Sequence, residues 1–342
     1  MPFLPGKLPN AVLEALLARA APTTRDPRVL VGPRVGEDAA VLDFGATCLI
    51  VATDPVTFAT DQLGWYVVQV NANDIAVRGA RPRWFLVVLL LPERHTDETL
   101  VSLLFDQIYN ACDALGCTLI GGHTEITIGL ERPLAIGQMI GEVSRAKLVS
   151  TGGVQVGDTI LLTKGIAIEG AALLAREREN VLRERGLAEN LIARAKNFLY
   201  APGLSVVSAA LRAQEVAQIH AMHDPTEGGL ATGLAELAQA SNVGLVIERA
   251  AIPILPECQA ICGALGLDPL GTLASGALLL AVSAADAARV QDTLARDGIP
   301  CAPIGVVAPR AHGLKIKSRE GVVDLPTFAR DEVARALEQI PD

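Results

Sequence analysis

The chain has 342 residues, a formal net charge of −9, and is half hydrophobic but only 4% aromatic. That length suits two domains with cores of Ala, Val, Leu and Ile rather than large rings. The acidic balance, with no Lys/Arg-rich run, argues against a nucleic-acid footprint, and no apolar run reaches the about 20 residues needed to span a bilayer.

In chain order, residues 9–20 read as an amphipathic helix with Asn10 as N-cap. Residues 47–53 are a strand ending at Asp54-Pro55. Residues 62–78 read as a helix closed by Gly79. A buried strand at 84–91 precedes a helix over 97–115 that ends at Gly116. Residues 118–120 form a short strand running into a Gly121-Gly122 turn, and 134–143 another strand. The pattern breaks at 149–157, so the domain boundary is placed there: 1–150 and 151–342. Beyond it come a strand at 159–163, helices at 168–178, 187–198 and 204–213, and a strand at 217–222. A helix at 230–240, a strand at 243–248, a helix at 257–265, a strand at 277–282 and a helix at 284–296 follow. Short strands near 302–307 and 313–317 and a C-terminal helix from 331 finish the chain. Both halves mix strands and helices without strict alternation, which favours α/β architecture of the α+β layer type with mixed sheets.

Six cysteines (Cys48, Cys112, Cys117, Cys258, Cys262 and Cys301) lie mostly in apolar segments and read as buried free thiols. Cys258 and Cys262 are four apart on one helical face, with no second ligand pair near them in sequence. The N-terminus lacks the pattern of a secretory signal, and the chain is read as cytoplasmic.

Five acidic stretches carry the chemistry. Gly36-Glu37-Asp38 sits among small residues that allow close approach, although a loop Asp satisfied by its own backbone is the simpler reading of Asp38 alone. Asp54 lies at a strand end, where ligand sites form, and a turn before Pro55 explains it equally well. Asn71, Asn73 and Asp74 interrupt an apolar helix. Asn71 and Asp74 share a face, and buried polar groups there are expensive without partners. Gly121-Gly122-His123-Thr124-Glu125 offers backbone amides to a phosphate, and Thr124 and Glu125 can hold metal or water. Asp224-Pro225-Thr226-Glu227-Gly228-Gly229 reads as an acidic capping box, with Asp224 as N-cap, Pro225 at N1 and Glu227 at N3. The same helix start, with Gly228 and Gly229, can accept an anion. There is neither a Walker loop nor a G-x-G-x-x-G after the first strand.

The ordered series GEDAAVL, VATD, NANDIAVRGARP, LLLP, IGGHTE, HDPTEGGL and ASGALLLAV, covering residues 30 to 310, resembles one superfamily. It contains aminoimidazole ribonucleotide synthase, thiamine-monophosphate kinase, selenophosphate synthetase and a hydrogenase-maturation protein. HDPTEGGLA and NANDIAVRGARP look most like the hydrogenase-maturation branch. The resemblance implies a two-domain subunit whose N-terminal halves pair in a homodimer with a barrel-like core. It also implies ATP in clefts beside that core and Mg2+ held by carboxylates. Asp38, Asp54, Asp74 and Asp224 fall on the family's acidic positions, and Asn71 and Asn73 on the nucleotide-facing motif. His123 stands where several relatives have Asp or Glu, with Glu125 as the compensating ligand. No Cys follows Cys301 and none precedes Cys48, so neither carbamoyl transfer to a tail thiol nor selenophosphate chemistry is expected. Lys7, in a Pro-Gly-Lys-Leu-Pro segment, is a candidate lid over the phosphates, and His123 a candidate acid or base. The expected activity is ATP-driven phosphoryl transfer to an oxygen of a small molecule or protein group. Two rivals are a nucleotide-responsive maturation partner without turnover and an ATP-independent metal hydrolase.

Overall fold

The computed structural model describes residues 8, 10–19, 26–34 and 36–339. Lys7 lies outside them. The chain divides into two compact units. One holds residues 25–32 and 38–148. The other holds 149–342 together with 33–37 and the helix α1 (Asn10–Arg19). The chain therefore passes from one unit to the other between Glu37 and Asp38.

The first unit contains β1 (Val29–Val31), β2 (Ala40–Phe44), β3 (Thr47–Val56), α2 (Leu63–Ala76), β4 (Arg81–Pro92), α3 (Glu98–Leu115), β5 (Thr118–Thr127) and β6 (Leu134–Ser144). Its sheet has the order β1-β2-β3-β6-β4-β5. All neighbours are antiparallel except β4 and β5. One face is covered by α2, and its core is apolar, with Ile50, Phe85, Leu89 and Met139 of the sheet and Val67 of the helix each 0% exposed. The apolar run at 84–91 lies in β4 and alternates: Phe85, Val87 and Leu89 are buried, whereas Leu86, Val88 and Leu90 on the opposite face are half-buried.

Gly64 lets α2 and α3 touch. A Cβ there would stand 2.6 Å from the Leu104 carbonyl oxygen, and the Gly64 N–H donates to Gln107 Oε1 at 3.0 Å. The expected Gly121-Gly122 turn is not formed, because β5 runs through both glycines to Thr127. Instead, the pairing slips by one residue at Ile120, where Phe85 faces Leu119 and Leu86 faces Gly121. The glycine at 122 answers a close approach rather than a turn, since a Cβ would fall 2.0 Å from the Val87 carbonyl oxygen.

The second unit contains β7 (Thr159–Thr163), α4 (Ile168–Glu177), α5 (Glu179–Glu184), α6 (Glu189–Lys196), α7 (Val207–Val216), β8 (Ile219–His223), α8 (Gly229–Ser241), β9 (Gly244–Glu248) and α9 (Pro256–Leu265). After these come β10 (Leu279–Val282), α10 (Ala287–Arg296), β11 (Cys301–Ala308), β12 (Leu314–Ser318), β13 (Gly321–Asp324) and α11 (Glu332–Gln339). Its mixed sheet runs β13-β12-β9-β11-β7-β10-β8, with an aliphatic core around Ile160, Leu162, Leu234, Ile247 and Leu279. Two sheets with helices layered on them are the α+β arrangement read from the sequence. Cys258 and Cys262 point into this unit's interior from α9, and burial pushes the Cys262 thiol up to about 11. Among the described residues, no helix is long and apolar enough to cross a membrane.

Candidate functional site

In the first unit, one asparagine organises the predicted acidic residues. Asn71, 0% exposed on α2, accepts the Asp54 N–H through Oδ1 at 2.9 Å. Its Nδ2 donates to the Asp54 carbonyl at 3.1 Å and to the Val67 carbonyl at 2.8 Å. The amide thus clamps β3 to α2 at Asp54, and β3 continues through Asp54 and Pro55 to Val56 rather than turning there. The clamp requires Gly137 opposite Asp54, because a Cβ at 137 would lie 2.3 Å from Asn71 Nδ2. Asp54 is half-buried and alternates with exposed Thr53 and Pro55, which places it on the sheet face that α2 covers. Asp74, 4% exposed, follows Asn71 by three positions on α2 and shares its face. Asn73 is also fully buried. Strand and helix thus meet at Asn71, with Asp54 on one and Asp74 on the other. Asp38 is half-buried two residues before β2.

The predicted β5 residues do not join this group within one chain. Asp54, Gly137, Val87 and Gly122 form one row across the sheet, so β5 is three strand spacings from β3, about 14 Å. Glu125 lies three residues further along β5, too far to share an ion with Asp54 in the same subunit. His123 and Glu125 are neighbours on one face of the edge strand, Nε2 to Oε2 3.4 Å, with side chains 66% and 57% exposed. Thr124 faces the other way and is also exposed. With Gly121 and Gly122 in an extended strand, no turn gathers their amides around an anion.

In the second unit, the acidic capping box is not formed. α8 begins at Gly229 with Gly228 as its N-cap, so Asp224 is not the cap and Pro225 is not in the first turn. Asp224 instead follows the last residue of β8, 2% exposed, beside His223, whose Nε2 lies 3.0 Å from Glu236 Oε2. The anion expected at the helix start is supplied by the chain itself. The Gly228 N–H donates to Asp331 Oδ2 at 2.7 Å, while the Gly229 N–H donates to the Thr226 carbonyl. Asp331 Oδ1 accepts from Val333 N–H at 2.7 Å. Burial pushes its carboxyl up to about 7, although backbone donors at Gly228, Val333 and Leu273 pull it down. Gly229 is held at φ 65°, and a Cβ there would strike the Leu270 carbonyl oxygen at 2.5 Å.

Asp331 and Lys164 are among the buried ionisable groups that the sequence reading did not single out. Asp331 was read only as the first residue of the C-terminal helix, which begins at Glu332. Lys164 follows the β7 strand, and its Nζ donates to the Gly203 and Ser205 carbonyls at 2.8 Å each. Burial pushes that ammonium down to about 8. A lone Lys-Gly after an apolar strand carries no signal that its head group turns inward.

Comparison with known proteins agrees with this architecture. Residues 36–143 match the family described as AIR synthase related protein, N-terminal domain, and residues 155–317 its C-terminal domain. A putative hydrogenase expression/formation protein of Methanocaldococcus jannaschii is 31% identical over 299 residues, covering 85% of each chain. The carbamoyl dehydratase HypE of Cupriavidus necator is 31% identical over 265 residues, 74% of this chain and 71% of that one. The crystal structure of hydrogenase maturation protein HypE in complex with ATP superposes with a TM-score of 0.71 at 22% identity, covering 97% of this chain and 98% of that chain. A two-sheet subunit matched along both halves, with relatives at this identity, makes the chain a member of the AIR synthase-related family, akin to the hydrogenase expression/formation proteins.

Proposed function

We propose that this protein binds ATP with Mg2+ in its first unit and uses it to activate a carbonyl-type oxygen, of the carbamoyl class, by phosphoryl transfer. The observation that carries this reading is the Asn71 clamp, which holds the Asp54-bearing strand against the helix that carries Asn73 and Asp74. Carboxylates of Asp and backbone or amide oxygens are the hard donors that Mg2+ takes, so the donor set fits the ion. When bound, Mg2+ supplies charge neutralisation to the phosphates. Asp54 and Asp74 would hold it, and Asn71 positions Asp54 by fixing its backbone on both sides. Phosphoryl transfer asks the protein for such positioning more than for covalent help.

The names of the relatives support the substrate class. One is named a carbamoyl dehydratase and another solved relative holds ATP. Removing water from a carboxamide becomes feasible once its oxygen carries a phosphoryl group: the C–O bond breaks, phosphate leaves with the oxygen, and a nitrile remains. ATP is converted to ADP and phosphate, and the two amide protons are released to general bases.

The test is calorimetric titration of an ATP analogue with and without Mg2+ on the wild type, Asp54→Asn and Asp74→Asn, each checked by circular dichroism. Each variant should bind at least about tenfold more weakly in the presence of Mg2+, about 1.4 kcal/mol. Undiminished affinity in both folded variants would show that the nucleotide is held elsewhere.

A further inference from the structure

The end of α3 places two thiols together by backbone geometry alone. Gly116 adopts the left-handed conformation at φ 65°. The Cys117 N–H donates to the Cys112 carbonyl at 3.0 Å, and the Gly116 N–H to the Asp113 carbonyl at 3.1 Å. This pair of bonds is the Schellman ending, which brings the residue after the glycine against the residue three positions inside the helix end. An apolar pair usually fills that contact, and here both positions are cysteine. This ending makes the two thiols neighbours, close enough for each to shift the other's ionisation. Cys112 is 2% and Cys117 7% exposed, but the chain on either side of Cys117, at Gly116 and Thr118, is exposed.

We propose that Cys112 and Cys117 form a reversible dithiol site that closes to an intramolecular disulfide on oxidation by hydrogen peroxide. A disulfide needs its two Cα atoms within about 7 Å, and the backbone bond already closes this loop, so bridging demands little chain movement. The pair is also differentiated. The neighbouring Cys112 side chain pulls the Cys117 thiol below its ordinary range, while the same contact and burial push Cys112 up; Asp113 opposes ionisation of both. Cys117 is also the more accessible sulfur, 7% against 2% exposed and between exposed Gly116 and Thr118, and is therefore the attacking one. Its thiolate takes one peroxide oxygen, the O–O bond breaks, and the departing hydroxide is protonated to water. The sulfenic acid left on Cys117 is attacked by the Cys112 sulfur. The S–S bond forms, and the sulfenic oxygen leaves as a second water carrying the Cys112 proton. Two thiols are oxidised by two electrons and one peroxide is reduced to two waters. By contrast, burial pushes the thiols of Cys258 and Cys262 up, and that of Cys301 up to about 12. The bridge would tie the end of α3 to the first residue before β5, three residues from the slip at Ile120.

The experiment uses the reduced full chain, exposed to hydrogen peroxide, quenched with an alkylating agent, and digested with trypsin. The peptide spanning residues 95–145 contains Cys112 and Cys117 and no other cysteine. It should emerge unalkylated and two hydrogens lighter, and take two alkyl groups after treatment with a dithiol reductant. In Cys112→Ser, a sulfenic acid at Cys117 should be trapped by dimedone; in Cys117→Ser, Cys112 should stay a thiol at the same peroxide dose. A doubly alkylated peptide from peroxide-treated, folded wild type would overturn the proposal. So would a bridge that appears only after denaturation, or dimedone labelling at Cys112 instead of Cys117.

Discussion

At the scale of single residues, Asp331 is a carboxyl group held by backbone amides and only 4% exposed. Burial raises its pKa from 3.8 to about 7, with Glu227 adding to the rise. Between those values the folded state binds the proton that the unfolded chain has released. Stability should therefore fall as pH rises from about 4 to 7 and then level off, by an upper limit of about 4 kcal/mol. Asp331→Asn keeps an acceptor for the Gly228 N–H without the charge and should flatten that slope. Urea unfolding of both proteins at pH 5 and 8 measures it, and equal pH slopes would contradict the assignment. The carboxylate that reaches this helix start comes from 103 residues away. The local pattern Asp-Pro-Thr-Glu offered a nearer candidate, Asp224, and a capping reading built on nearest neighbours had no access to the distant one. By contrast, Asn71 and Asp74 were legible, because polar groups inside an apolar helix demand partners wherever they end up.

At the scale of elements, helix and strand periodicity located α2, α3, α4 and β4 to within a few residues. The short elements β1, β2, α5 and β13 were not read at all, and other errors lie where glycine serves contact rather than a turn. Gly122 looked like half of a turn and is a strand residue under the Val87 carbonyl. Gly64, inside α2, carries no signal of this in the sequence and is where α3 comes close. Gly64→Ala should destabilise the protein by about 1–3 kcal/mol, because the new methyl forces the helices apart and strains the Gly64–Gln107 hydrogen bond. Gly263→Ala, on exposed α9 surface with no atom within 4 Å of the new Cβ, should instead gain up to about 1 kcal/mol. Denaturant midpoints for the two variants give opposite signs if close approach decides the matter. A loss at both positions would mean that helix propensity arguments fail here.

At the scale of the molecule, the first unit leaves one face of its sheet without a covering layer of its own. Leu86, Val88, Leu90, Ile136 and Ile140 line that face and are only half-buried. β5 at the edge carries Ile120 and Ile126, each 53% exposed. An unpaired edge beside an apolar face is a template for association, and the homodimer implied by the family resemblance would cover both. Light scattering should give the mass of two chains for the wild type and of one for Val88→Asp. A Val88→Asp protein that remains dimeric would move the interface away from this face.

By itself the sequence determined the layered α+β class, the family, and which polar residues had to be explained, because periodicity, order of motifs and the cost of burying a carboxylate or amide are local properties of a chain. Only the tertiary structure decided that Asn71 holds Asp54 by its backbone, that Asp331 rather than Asp224 meets the α8 start, and that His123 and Glu125 lie about 14 Å across the sheet from Asp54. These are questions of strand order and of contacts between residues tens to a hundred positions apart. They are answered by which surfaces pack, and a linear pattern does not contain that information.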